Sequence, residues 1–86
     1  MSNVLDAVSP DESRAVIVEE LRRRDPALLA ELSGANEPTN DQSDAVIRVM
    51  TSALSENYGP GHIPNERGKA IDAAVGHYLL AWPIYR

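Results

Sequence analysis

Apolar residues recur along this chain three or four positions apart, and no stretch alternates in the manner of a half-buried strand. The pattern is strongest near the C-terminus. There Ile71, Val75, Tyr78, Leu79 and Trp82 fall at i, i+4, i+7, i+8 and i+11 and predict a helix over about 65–81. Asn65 and Glu66 open it, and Pro83 cannot continue it. Gly68, Ala70, Ala73, Ala74, Gly76 and Ala81 keep this helix thin. Each interior glycine costs about 0.5–1 kcal/mol relative to alanine, which close packing or an approaching ligand must offset.

A second periodic stretch, Val46, Ile47, Val49, Met50, Ala53 and Leu54, predicts a helix over about 41–57. Ser43, Asp44, Arg48, Thr51, Ser52 and Ser55 are assigned to its opposite face. Thr39 or Asn40 supplies the cap, Gln42 can close a capping box on Thr39, and Gly59 and Pro60 mark the stop.

In the N-terminal half, Ser9-Pro10-Asp11-Glu12 reads as an N-cap, a first-turn proline and the glutamate of a capping box. The helix it opens is expected over about 10–24, with Ile17, Val18 and Leu21 facing inward. Glu19 with Arg23 and Glu20 with Arg24 form exposed i,i+4 pairs in the favourable acid-first order. The run Arg22-Arg23-Arg24 then complements the negative end of the helix dipole. Asp25-Pro26 restarts a short helix over about 26–33, with Leu28, Leu29 and Leu32 inward and Gly34 as C-cap. Residues 1–8 are either a frayed tail or a docking turn through Val4, Leu5 and Val8.

Together these elements predict an all-α compact bundle of three principal helices and one short one, a single domain over 9–86, with sequential helices antiparallel. At 86 residues without phenylalanine the core is small, so homo-oligomerisation stays open as a source of stability. The absence of cysteine removes disulfides, thiolate metal sites and cysteine catalysis. With no signal-like start and no long apolar run, a soluble cytoplasmic protein without membrane contact is expected.

The net charge of −5 is uneven: residues 1–44 carry −6 and residues 45–86 carry +1. Such a chain attracts a basic partner and is poorly suited to phosphate backbones, which need clustered cations. No metal-ligand spacing, phosphate loop or nucleophile elbow occurs, so no catalytic residue, metal or cofactor is expected. Aromatic residues with arginine are the usual anchors of protein interfaces. The candidate partner-binding residues are therefore Tyr58, His62, Glu66, Arg67, Lys69, Trp82 and Tyr85.

The leading expectation is a non-catalytic protein-binding module of the inhibitor, antitoxin, immunity-protein or adaptor kind. Asp11, Glu12, Glu19 and Glu31 would steer a basic partner, and Trp82 or Tyr85 would anchor it. One alternative is a nucleic-acid-associated regulator, with the helix pair around Asp25-Pro26 acting like a helix-turn-helix and Arg22, Arg23, Arg24 and Arg48 on phosphates. Another is a small ligand-binding or enzymatic domain using His62, Glu66, Arg67 and Asp72.

Overall fold

A computed structural model describes residues 3–58, 61 and 63–84. It is all-α: α1 spans Asp11–Arg24, α2 Pro26–Ser33, α3 Asn40–Ser55 and α4 Glu66–Ala81. The helices run alternately down and up. Arg24 and Glu20 of α1 meet Glu56 and Arg67 at one end of the bundle. At the other end Gln42 reaches Glu31, and Trp82 reaches Val4.

Local chemistry sets most boundaries. Trp82 (φ −132°, ψ 75°) and Asp25 (φ −151°, ψ 71°) each precede a proline, which excludes the helical region and ends α4 and α1 where they end. Asp25 then caps α2 by accepting the Leu28 N–H at 3.1 Å. Thr39 and Gln42 form both halves of a capping box at α3. Asn65 caps α4 by accepting the Gly68 N–H at 2.8 Å.

The start of α1 differs from expectation. Pro10 itself is the N-cap, its carbonyl accepting the Ser13 and Arg14 N–H groups, and Ser9 lies one residue too early to cap; the Ser9–Pro10 peptide is cis. Helix α3 starts one residue earlier than its periodicity suggests and ends at Ser55, with Glu56 as C-cap. Gly59 and Pro60, expected to stop it, lie outside the described residues.

The core is built from Ile17 and Leu21 of α1, Leu28 and Leu32 of α2, Val46, Met50 and Ala53 of α3, and Ile71, Ala74 and Tyr78 of α4. Before α1, a 3₁₀ turn at Leu5–Ala7 inserts Val4, Leu5 and Val8 into the same core. Val4 donates its N–H to the Ala35 carbonyl at 3.0 Å and accepts the Trp82 indole N–H at 2.8 Å. Both ends of the described chain are thereby tied to one another.

Among the described residues three polar side chains share the interior: Ser13, Glu20 and Ser43. Two of them correct the sequence reading, which left Glu20 on an exposed face of α1 and Ser43 on the outer face of α3. On α1 the buried set is Ser13, Val16, Ile17, Glu20 and Leu21, and Val18 is only partly buried. The true stripe is rotated from the purely apolar one because two of its members are polar.

Candidate partner-binding surface

The residues expected to form one interaction patch are distributed between the two ends of α4. Glu66, Arg67 and Lys69 lie in its first turn and Trp82 caps its end. Sixteen helical residues separate the ends by about 24 Å. Tyr58 sits at the first of these ends, paired through an isolated bridge with Pro64. His62 and Tyr85 lie outside the described residues.

Arg67 is turned inward. Its Nη2 donates to Glu20 Oε2 at 2.8 Å and to Glu19 Oε2 at 3.0 Å, and its Nε reaches Glu20 Oε2 at 3.3 Å. Glu20, at 0% exposure, also accepts from Arg24 Nε at 3.0 Å, and Arg24 Nη1 continues to Glu56 at 2.6 Å. Burial by itself pushes the Glu20 carboxyl up. The hydrogen bonds from Arg67 and Arg24, with the charges of Arg67 and Arg23, outweigh that and hold it below its ordinary value. Glu19 therefore pairs across to α4 rather than with Arg23, whose Nη1 lies 3.6 Å from Glu20. Four carboxylates (Glu19, Glu20, Glu56, Glu66) and four cations (Arg23, Arg24, Arg67, Lys69) are matched at this end.

The loop joining α3 to α4 is pinned by asparagines. Asn57 Nδ2 donates to the Ala53 carbonyl at 2.7 Å, and the Asn57 carbonyl accepts the Asn65 N–H at 2.9 Å. Gly68 is required there: a Cβ would stand 2.6 Å from the Asn57 carbonyl oxygen and 3.0 Å from Pro64 Cβ. From this pinned loop Tyr58 and Ile63 project at 45% and 63% exposure.

The opposite end carries the charge imbalance. Asp6, Asp11, Glu12, Glu31, Glu37, Asp41 and Asp44 gather there through the 3₁₀ turn, the starts of α1 and α3, and the end of α2. Arg14 lies among them, bound to Asp11 at 2.6 Å, and Arg48 borders a hollow together with Asp41 and Asp44. Charge thus separates along the bundle as well as along the chain, since the acids gathered here all belong to residues 1–44, while Glu19 and Glu20 of the same half are paired at the other end. At the same end Leu80 is 80% exposed beside a concavity of about 460 Å³ bounded by Ala7, Ser9, Pro10, His77 and Ala81. The Trp82 indole is half-buried against the core and its N–H is used by Val4, so it packs as part of the fold.

The histidine that the structure places is internal in role. His77 Nδ1 and Ser13 Oγ share a hydrogen bond of 2.5 Å between α4 and α1. Ser43 Oγ and the Tyr78 hydroxyl share another of 2.8 Å between α3 and α4. Burial raises the Tyr78 phenol above its ordinary value, and the Ser43 bond offsets part of that rise. These contacts were not legible beforehand, since a serine on a helix carries no mark of its distant partner. Glu66 and Asp72, named for an enzymatic alternative, are exposed on α4. Among the described residues no cluster of three or more metal-ligating side chains occurs, and no helix is long and apolar enough to cross a membrane. The chain matches no protein-family model, no curated protein and no solved structure.

Proposed function

We propose that this chain is a non-catalytic protein-binding module that receives a basic partner at its acidic end, with Leu80 as the apolar contact. The observation that carries this reading is the segregation of charge. At the Arg67 end Glu19, Glu20, Glu56 and Glu66 are each matched by a cation, whereas at the other end Asp6, Glu12, Glu31, Glu37 and Asp41 form no ion pair among the described residues. A field of one sign focused on one end orients an approaching cationic surface and raises its rate of association. Leu80 and the concavity beside it then provide a place where water can be excluded. Arg67 and Trp82 serve the fold, so the anchor differs from the one that the composition of the chain suggests. For a nucleic-acid regulator, Arg24 is already committed to Glu20 and Glu56 and is lost as a phosphate ligand.

The test is quantitative affinity capture from the native host with tagged wild type, an acid-end variant (Glu12→Lys with Asp41→Lys), Leu80→Asp, and Ile63→Asp at the other end. The acid-end and Leu80 variants should lose a partner that Ile63→Asp retains. Association with that partner should slow by about tenfold or more between low and physiological salt. A partner lost only with Ile63→Asp, or an association rate indifferent to salt, would refute the proposal.

A further inference from the structure

Of the three consecutive arginines, Arg24 and Arg23 face Glu20, and Arg22 alone has no carboxylate partner among the described residues. It lines a wedge between α1 and α2. Asp25 is the only residue joining these helices, so they diverge from that point. Leu5 of the N-terminal turn reaches into the wedge, and a groove of about 470 Å³ remains. Its apolar wall is Ala15, Val18 and Leu29. Val18 and Leu29 are the residues that helical periodicity assigns to the core, yet they stay only partly buried because they face this groove. Asp6 and the Asp11–Arg14 pair stand at one end and Arg22 at the other.

We infer that the α1–α2 wedge is a docking groove for a short peptide segment of another protein, apolar in its middle, cationic at one end and anionic at the other. The volume falls within the range of sites that enclose small ligands and peptide side chains. From Asp11 to Arg22 helix α1 rises about 16 Å, the span of about five extended residues. Charge complementarity selects the occupant. A purely apolar ligand would leave Arg22 and Asp6 unanswered, and a simple apolar acid would place its tail against the Asp6 end. The inference does not rest on the basic partner proposed above: the apolar contact of that partner is Leu80 and the concavity bounded by Ala7 and Ser9, none of which lines the wedge. Of the acids, only Asp6 and Asp11 belong to both the wedge and the acidic end.

The experiment titrates the isotope-labelled full chain with synthetic peptides of about eight residues and follows the amide resonances of Ala15, Val18 and Leu29. Three peptides share a leucine–valine centre and differ in their ends: lysine with glutamate, lysine at both ends, and glutamate at both ends. The mixed peptide should bind about three- to fivefold tighter than either uniform one, the scale expected of exposed ion pairs. Arg22→Glu changes an exposed side chain and leaves the fold intact; it should shift the preference to the doubly basic peptide. Dodecanoate is the control for a simple apolar acid. The inference is overturned by shifts confined to other residues, by no saturable shift up to about 1 mM, by an unchanged preference in Arg22→Glu, or by dodecanoate binding where the peptides do not.

Discussion

Replacing Glu20 by glutamine removes one negative charge from the interior while keeping its size. In the native chain this carboxylate accepts three N–H groups, one from Arg24 and two from Arg67. Removing one partner of a fully buried pair costs about 3–5 kcal/mol, because the other charge stays buried alone. Here the guanidinium groups are only partly covered and keep other carboxylates: Arg24 keeps Glu56 at 2.6 Å and Arg67 keeps Glu19 at 3.0 Å. The expected loss is therefore smaller, about 2 kcal/mol, in line with one or two charge-assisted hydrogen bonds. Urea unfolding followed by helical circular dichroism measures it, with the slope on denaturant unchanged.

The same substitution carries a pH signature. The folded chain holds the Glu20 proton less tightly than the unfolded chain does, so stability rises with pH through that range. The Glu20 contribution is complete above the ordinary value of 4.5 and disappears as pH falls through the lower folded value. Wild type should lose stability on acidification more steeply than Glu20→Gln, in which only the Glu56 part, lowered by Arg24, persists. Equal stability of the two proteins at pH 7, or parallel pH profiles, would show that Arg67 and Arg24 do not act through this carboxylate.

Two glycines on α4 give opposed expectations. Gly68→Ala drives a methyl into the Asn57 carbonyl and should destabilise by about 1–3 kcal/mol, whereas Gly76, with nothing within 4 Å, should gain about 0.5–1 kcal/mol as alanine. Thermal unfolding of the pair decides it, and a destabilised Gly76→Ala would count against the placement of that face. Thr39→Ala should cost about 1 kcal/mol through the lost capping box and Ser9→Ala almost nothing, both read by denaturant titration.

Much of the architecture was legible because local signals agreed with the global arrangement. Asp25-Pro26, Thr39 with Gln42, and Asn65 act through side chains that reach only three residues along the chain, so their meaning survives without tertiary information. The buried faces were harder. Ser13 and Glu20 occupy inward positions of α1, and reading polarity as exposure rotated the expected stripe toward Val18. Ser9 misled for a related reason, since a capping motif is a statement about sequence and Pro10 had already begun the helix. The interaction patch failed as one unit because proximity along the chain was taken for proximity in space. Trp82 is near the segment containing Glu66 and Arg67 in order, yet a whole helix lies between them.

All three buried polar side chains find their partner on α4: Ser13 with His77, Glu20 with Arg67, Ser43 with Tyr78. Apolar contacts among Ile, Val, Leu and Ala tolerate sliding, and the small residues of α4 would fit a neighbour in more than one register. Polar pairs do not, because a slip by one turn leaves a hydroxyl or a charge buried without its complement. Two of these ties fix α1 against α4 at well-separated heights, Ser13 near its start and Glu20 near its end, and so set tilt as well as register. The third fixes α3. At the Arg67 end Glu19, Glu20 and Glu56 are held in pairs that cross between helices or bridge a helix to the end of its neighbour, so their charge is answered within the bundle. A Ser43→Ala, Tyr78→Phe double replacement would remove one tie while leaving shape almost unchanged. If register is held in this way, the double variant should retain stability to within about 1 kcal/mol yet broaden the amide spectrum of α3, because what is lost is the distinction between neighbouring packings and little of the packing itself.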